Sequence, residues 1–446
     1  MARAAGGHLL AGDPDQPIEA LSTDTRALKI GEAFWALKGP RFDAHDLLNE
    51  PLAQKASGWI IERDRFKARG FAPKHLIEVT NTLKALQAFS AHHRRRFEIP
   101  VVGITGSNGK TTTKEMLKCI CSRFGPSCAS PENWNNQIGV ALSALQLSAE
   151  HHYGIFELGD CHPGDIDEVA RICSPTLAVL TNIGPDHLEF YGSLEENFKA
   201  KSELIENLPE EGKAVINIDD PWLSGLEPRL GARAVTFGAN PRARVNFPNQ
   251  DEMIIDRHKI KLSLKTFGML SRYNAAAAAA AAWALGIDPD TIRRGLEDYL
   301  PAAMRLELIK HASGCSIVLD AYNANPASMR AAIEAFCSEF AAGRKVLVLG
   351  DMKELGALSP QFHHELGTWL ATLPLSSVYL AGPEMKSATE ALKLKNANFA
   401  VHYALTPDSW LDELRTEFAP DRALFFKASR AMKFESILQS LQCSTT

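Results

Sequence analysis

The residues in this chain best suited to holding phosphates are Gly106, Gly109, Lys110 and Thr111, within Val101-Val102-Gly103-Ile104-Thr105-Gly106-Ser107-Asn108-Gly109-Lys110-Thr111-Thr112. Glycines can turn successive backbone N–H groups inward as an anion-binding nest, and a helix beginning near Lys110 adds the positive end of its dipole. The Lys110 ammonium then offers a point charge for the outer phosphates. The Thr111 hydroxyl is placed to ligate the magnesium ion that accompanies them. The general phosphate-loop pattern asks for glycine five places before Gly109, where this chain has Ile104, so the strict motif fails.

A strand, a loop and a helix must position this run. Ile99 to Ile104 is apolar and β-branched apart from Pro100 and Gly103, and helix-forming residues follow the turn up to Phe124. Further strand candidates, Tyr153 to Leu158, Leu177 to Ile183 and Lys213 to Asn217, alternate with helical stretches, which predicts a parallel sheet covered on both faces. Ligands of such sheets sit at the carboxyl ends of the strands. Glu157, inside F-E-L-G-D-C-H-P-G-D-I, falls there and suits a magnesium ligand or a capping carboxylate. His187, in Asn182-Ile183-Gly184-Pro185-Asp186-His187-Leu188, falls at the next strand end, and spacing leaves a metal-ligand and a structural reading both open.

Composition narrows the partners. At 446 residues the chain exceeds what one core usually supports, so two or three domains are expected. A net charge of -5 and a pI near 6.3 give no global attraction for nucleic acid or anionic membrane, so a polyanion needs a local site. The N-terminal MARAAGGHLLAGD lacks the apolar region of a signal peptide, and no apolar run is long enough to span a bilayer. Eight cysteines without CxxC pairing, Cys443 last among them, read as reduced thiols of a cytoplasmic protein rather than structural zinc. The alanines Ala275 to Ala282 read as a tightly packed helix, and His92-His93-Arg94-Arg95-Arg96 as the solvated end of a helix over Thr82 to Phe97 that closes the first unit.

The run T-G-S-N-G-K-T-T resembles the nucleotide loop of the Mur ligases and their folylpolyglutamate synthetase relatives, which join an amine to a carboxylate using ATP. Other motifs extend the resemblance in colinear order. Ser22-Thr23-Asp24-Thr25-Arg26, Phe34 to Gly39 and Phe42-Asp43-Ala44-His45 are similar to the Mur ligase N-terminal pattern that holds the UDP end of the substrate. Asn133 to Val140 is similar to N-x-N-N-E-I-G, with Gln137 for Glu, and Gly268 to Asn274 to G-x-H-N-x-x-N, with Leu270 and Ser271 for His and Asn. Met304-Arg305-Leu306-Glu307 resembles G-R-x-E with Met304 for glycine, and Lys427-Ala428-Ser429-Arg430 resembles K-G-S-R with Ala428 for glycine. Asp320 to Met329 and Leu349 to Gly356, matching D-x-Y-N-A-N-P-x-S-M and L-G-D-M-x-E-L-G, point to the branch of the family that adds the terminal dipeptide. The D-N-P-R motif of the neighbouring branch is missing.

The resemblance implies an α/β fold of three domains. An N-terminal UDP-binding domain (1–98) and a C-terminal Rossmann-like domain (301–446) flank a central phosphate-loop ATPase domain (99–300). It implies ATP and Mg2+, with UDP-N-acetylmuramoyl tripeptide and D-alanyl-D-alanine as substrates and an acyl-phosphate intermediate. A monomer that neither binds nucleic acid nor enters the membrane is expected. Lys110, His187 and Lys201 are the implied catalytic residues; Lys201 matches the lysine whose carbamate bridges metal, with Lys199 as its rival and a surface charge as the alternative. Metal would fall to Thr111, Glu157, His187 and Lys201, and nucleotide to Gly106, Ser107, Asn108, Gly109, Lys110, Thr111, Thr112, Asn274, Arg305, Asp320 and Asn323. Ser22, Asp24, Arg26, Lys38, Asn135, Asn136, Gln137 and Lys427 would meet the substrates. A nucleotide-binding regulatory protein that hydrolyses ATP alone is the rival of a different class.

Overall fold

The fully buried strand Val101–Thr105 lies between Tyr153–Glu157 and Leu177–Leu180, parallel to both, third from one edge of a nine-stranded sheet. This is a computed structural model, and it describes residues 1–442 apart from 16, 17, 19, 40–41, 66–72 and 342–343. Cys443 lies outside the described residues; the other seven cysteines are free.

From Ser127–Ala129 at one edge the central sheet runs parallel through Tyr153–Glu157, Val101–Thr105, Leu177–Leu180, Lys213–Asn217, Ala234–Gly238 and Val245–Asn249. Glu252–Ile255 and His258–Lys261 then extend it antiparallel. Successive strands are added on opposite sides of Val101–Thr105, so its carboxyl end is the switch point where a crevice opens. The helix Met269–Ala284 packs between this sheet and the helix Lys110–Ser122, with every side chain from Ala275 to Ala282 buried. Methyl side chains let its backbone lie close to both neighbours, a use of alanine that propensity alone would not require.

Two further sheets flank the centre. The first orders His8–Ala11, His75–Val79, Gly58–Glu62, Ala33–Trp35 and Leu21–Ser22, antiparallel only at its first pair. The last orders Glu307–Lys310, Ser316–Leu319, Ala423–Lys427, Lys345–Gly350, Ser377–Ala381 and Ala400–Ala404, again with one antiparallel edge pair. Apolar clusters on both faces of that sheet show it covered on each side.

The helix Thr82–Arg94 departs from the sequence reading. It bridges rather than closes the first unit: Trp35 donates to Thr82 O at 2.8 Å, while the helix packs on Gln137–Ala144 and Asp165–Cys173 of the central domain. Arg94 is buried instead of solvated, because its guanidinium donates to Cys173 O at 2.8 Å and Phe97 O at 2.7 Å. Those carbonyls are left over at and just beyond helix ends, and a fork of N–H donors satisfies them. Among the described residues no helix is long and apolar enough to cross a membrane.

Candidate active site

A cavity of about 700 Å³ opens at the carboxyl ends of the central strands and is roofed by the C-terminal domain. Ser107, Asn108, Gly109, Lys110, Thr111 and Thr112 line it, together with Glu157, His187 and Asn274. Gly106, at φ +137, passes so close to Thr181 that a Cβ would stand 2.0 Å from its hydroxyl, and Gly109, at φ +85, would put one 2.1 Å from Asn274 Oδ1. Glycine is therefore required twice by sterics as well as by backbone angle. The loop is pinned to the next strand end: Ser107 N–H donates to Asn182 O at 2.9 Å and Asn108 N–H to Asn182 Oδ1 at 3.0 Å.

Lys110 begins its helix and its ammonium donates to Gly106 O, with no carboxylate in ion-pair range among the described residues. Glu157 is buried at its strand end, accepting from Thr111 Oγ1 at 2.7 Å and from Asn135 Nδ2 at 2.9 Å, and it too has no basic partner among the described residues. A buried carboxylate without a counter-charge beside a phosphate loop fits a divalent cation. Among the described residues no three or more His, Cys, Asp or Glu side chains cluster as a metal cage, so such a cation would complete its shell with phosphate oxygens and water.

Lys201 and Lys199 share one helix, Leu194–Glu206, capped by Ser193, but have opposite surroundings. Lys199 is 56% exposed and pairs with Glu195 and Glu196, both at 2.9 Å. Lys201 is fully buried, its Nζ 2.8 Å from Asp160 Oδ2 and 3.5 Å from Asp186 Oδ2, and it is not on the cavity wall. Asp160, which does line the cavity, also accepts from the Tyr191 hydroxyl at 2.6 Å. Burial pushes Asp186 up, but the charges of Lys201 and Lys110 and hydrogen bonds from Ser107 and Asn197 outweigh it and hold the carboxyl below its ordinary value. The sequence reading did not name Asp160, Tyr191, Asp186 or Asn197 as site residues. An acidic residue three places after Glu157 was the signal available.

The opposite wall comes from the C-terminal domain. Arg305 Nη2 donates to Thr111 Oγ1 at 2.9 Å while its guanidinium lies 3.9 Å from the centre of the Tyr322 ring, so one side chain joins the two domains. Met304, where the family has glycine, adopts φ 60°, a backbone form that glycine enters without strain. Lys427 reaches Asp320 Oδ2 at 2.6 Å and Asn323 O at 2.9 Å. Asn325 Nδ2 crosses to Asn108 Oδ1 at 2.9 Å, and Glu354 meets His187 Nδ1 at 3.0 Å. Contact with His187 holds the Glu354 carboxyl below its usual value against the opposing effect of burial.

Asn135, Asn136 and Gln137 also face the cavity. Asn136 caps a helix by accepting from Ile138 and Gly139 N–H, and Gln137 Nε2 donates to Asp165 Oδ1 at 3.0 Å. The glutamate usual at position 137 would face that carboxylate as a second anion; the amide serves as a donor. Leu270 lines the cavity, and Ser271 is tied to the Thr266 hydroxyl. The structure does not bring Ser22, Asp24, Arg26 or Lys38 to this cavity. They belong to the N-terminal domain, where Arg26, 84% exposed, pairs with Asp24 at 2.7 Å and Ser22 donates to Asp24 O at 2.9 Å. His45 of the same motif region is buried and accepts from Glu62 N–H at 2.9 Å, a structural tie.

Known proteins resemble this chain along nearly its whole length. The Mur ligase middle domain matches residues 104–282, and the Mur ligase glutamate ligase domain matches 304–430. The UDP-N-acetylmuramoyl-tripeptide--D-alanyl-D-alanine ligase of Bacillus subtilis (strain 168) is 35% identical over 431 residues, covering 95% of this chain and 93% of the relative. That of Escherichia coli (strain K12) is 32% identical, covering 96% and 94%. Crystal structure I of MurF from Acinetobacter baumannii superposes with a TM-score of 0.90 at 32% identity, covering 99% of this chain and 97% of that one. MurF ligase from Thermotoga maritima in complex with ADP gives 0.81 at 29% identity, covering 95% and 97%. A phosphate-loop sheet whose crevice is closed by an arginine from a second α/β domain defines the class, a nucleotide-dependent ligase of three domains. The chain belongs to the Mur ligase family.

Proposed function

We propose that the chain joins D-alanyl-D-alanine to UDP-N-acetylmuramoyl tripeptide with ATP, a step in making peptidoglycan precursors. The observation that carries this reading is the meeting of Lys110, Glu157 and His187 from the central domain with Arg305 from the C-terminal domain in one cavity. A carboxylate is a poor electrophile. Transfer of the γ-phosphoryl group to its oxygen gives ADP and an acyl phosphate; attack by the dipeptide amine then forms the amide, breaks the C–O bond to phosphate and loses a proton from nitrogen. Phosphoryl transfer of this kind depends mainly on placement and charge neutralisation.

In this reading the nest at Gly106 to Gly109 holds the outer phosphates, the Lys110 ammonium and Arg305 guanidinium balance charge on the transferring group, and Asn274 stands beside the loop for the nucleotide. Magnesium, held by Thr111, Glu157 and His187, would supply further charge neutralisation. The family carbamate at Lys201 belongs to the same reading. So do substrate contacts from Asn135, Asn136, Gln137 and Lys427 at the cavity, and from Ser22, Asp24, Arg26 and Lys38 at the UDP end. The reading places a monomer in the cytoplasm. It is tested by ATP-dependent phosphate release with and without UDP-N-acetylmuramoyl tripeptide and D-alanyl-D-alanine. Release that requires both is expected; release unchanged on adding them overturns the proposal in favour of a stand-alone nucleotide hydrolase.

A further inference from the structure

We propose that Glu354 of the C-terminal domain is a positioning residue that fixes the His187 ring of the central domain, so that domain closure completes the phosphate side of the site. The inference rests on the ligase reading above and adds to it a coupling residue. Glu354 Oε2 stands 3.0 Å from His187 Nδ1, and both residues line the cavity. The two groups meet at charge-attraction distance but off the line that a full hydrogen bond needs. Nε2 has no hydrogen-bond partner among the described residues. A carboxylate on one imidazole nitrogen sets the tautomer and orients the other nitrogen toward its ligand.

Glu354 is 56% exposed, and a pair this open adds little by attraction alone. The backbone argues that the contact is built. His187 sits at φ 52° and Glu354 at φ 65°, left-handed conformations that non-glycine residues keep only where their surroundings hold them. Those surroundings are present on the Glu354 side. Asp351, buried, accepts from the N–H groups of Glu384 and Met385 at 3.1 Å each. Met352 N–H donates to His363 Nε2 at 3.1 Å, and Lys353 N–H to Ser429 Oγ at 2.9 Å. On the other side the His187 carbonyl accepts from Phe190 and Tyr191 N–H at 2.9 and 3.1 Å, and Asp186 is tied to Asn197 at 2.6 Å. A rigid arm thus delivers one carboxylate to one imidazole across the domain boundary.

The test uses the full chain with ¹⁵N-labelled histidine, the His187 signal being assigned by its loss in His187→Asn. In the wild type without ligands, His187 is expected as the Nδ1-protonated tautomer; in Glu354→Ala the two tautomers should average. Turnover should fall on the order of 10–100-fold in Glu354→Ala, with the KM for ATP within about threefold, and Glu354→Gln, which keeps an acceptor oxygen, should recover part of it. Unchanged His187 nitrogen shifts in Glu354→Ala, or turnover within about twofold of wild type with wild-type thermal unfolding, overturns the proposal. A wild type that ignores its two carbon substrates would instead sink the ligase reading, while the nitrogen shifts still report on the pair.

Discussion

Both walls of the cavity are built from the carboxyl ends of neighbouring strands, yet they treat charge differently. On the central wall Lys110 and Glu157 have no opposite charge within ion-pair distance among the described residues, and each is held by neutral partners, Gly106 O for one and Thr111 and Asn135 for the other. On the C-terminal wall Lys427 and Asp320 neutralise each other at 2.6 Å. Groups left unpaired next to a phosphate loop are preorganised for a charged ligand, whereas paired groups set the shape and position of the wall. Arg305 is the exception on its wall: it stacks on Tyr322 and spends an N–H on Thr111, carrying uncompensated positive charge to the central side.

Substitution of the two lysines should separate these roles. Lys427→Met leaves Asp320 partly buried without its partner and should cost about 3–5 kcal/mol, read from urea unfolding. A loss below about 1 kcal/mol would mean that the pair does not hold the wall. Lys110→Ala removes no ion pair, so unfolding should stay near wild type while turnover drops on the order of 10²–10³-fold, measured as substrate-dependent phosphate release. Large destabilisation by Lys110→Ala would erase the contrast.

Acid should act on the interior of the C-terminal domain behind that wall. His363, fully buried, donates from Nδ1 to Ser359 O at 2.8 Å and accepts at Nε2 from Met352 N–H at 3.1 Å, so only the neutral ring fits. Burial, the largest effect, holds its pKa below the ordinary histidine value. The unfolded chain then binds the proton more readily. The stability tied to this ring is complete above about pH 6.5 and drains as pH falls through that value toward the folded one. Thermal unfolding from pH 7.5 to 5.5 should show this loss, and His363→Gln should flatten the slope. The smallest effect is expected at Lys199: Lys199→Ala should leave both unfolding and turnover unchanged, since its partners are surface carboxylates on its own helix. A measurable loss of turnover would reopen the choice between it and Lys201.

Much of the fold was legible because local rules and tertiary needs agreed. The strand Lys213–Asn217 lies where its apolar run predicts it, and the phosphate-loop helix begins at Lys110, directly after the glycines that demand the turn. Leu177–Leu180 stops three residues short of its apolar run, because Asn182 turns away to hold the loop. His75–Val79, whose apolar run is broken by Glu78, and the four-residue Glu252–Ile255 gave weak signals, and only pairing on both sides makes each a strand. Arg94 shows the limit from the other side: its charge reads as solvated, and only the packing of the helix against Asp165–Cys173 reveals carbonyls that need it.

The chain's own order of residues determined the phosphate nest, since two glycines, a lysine and a threonine in one short run create their geometry through local backbone angles. It also determined the alternation that makes parallel sheets. The tertiary structure alone decided that Lys201 is buried against Asp160 while Lys199 faces water, and that Arg305 and Glu354 cross a domain boundary to Thr111 and His187. Contacts between residues more than 150 positions apart depend on how whole sheets are brought together, and no local spacing encodes that.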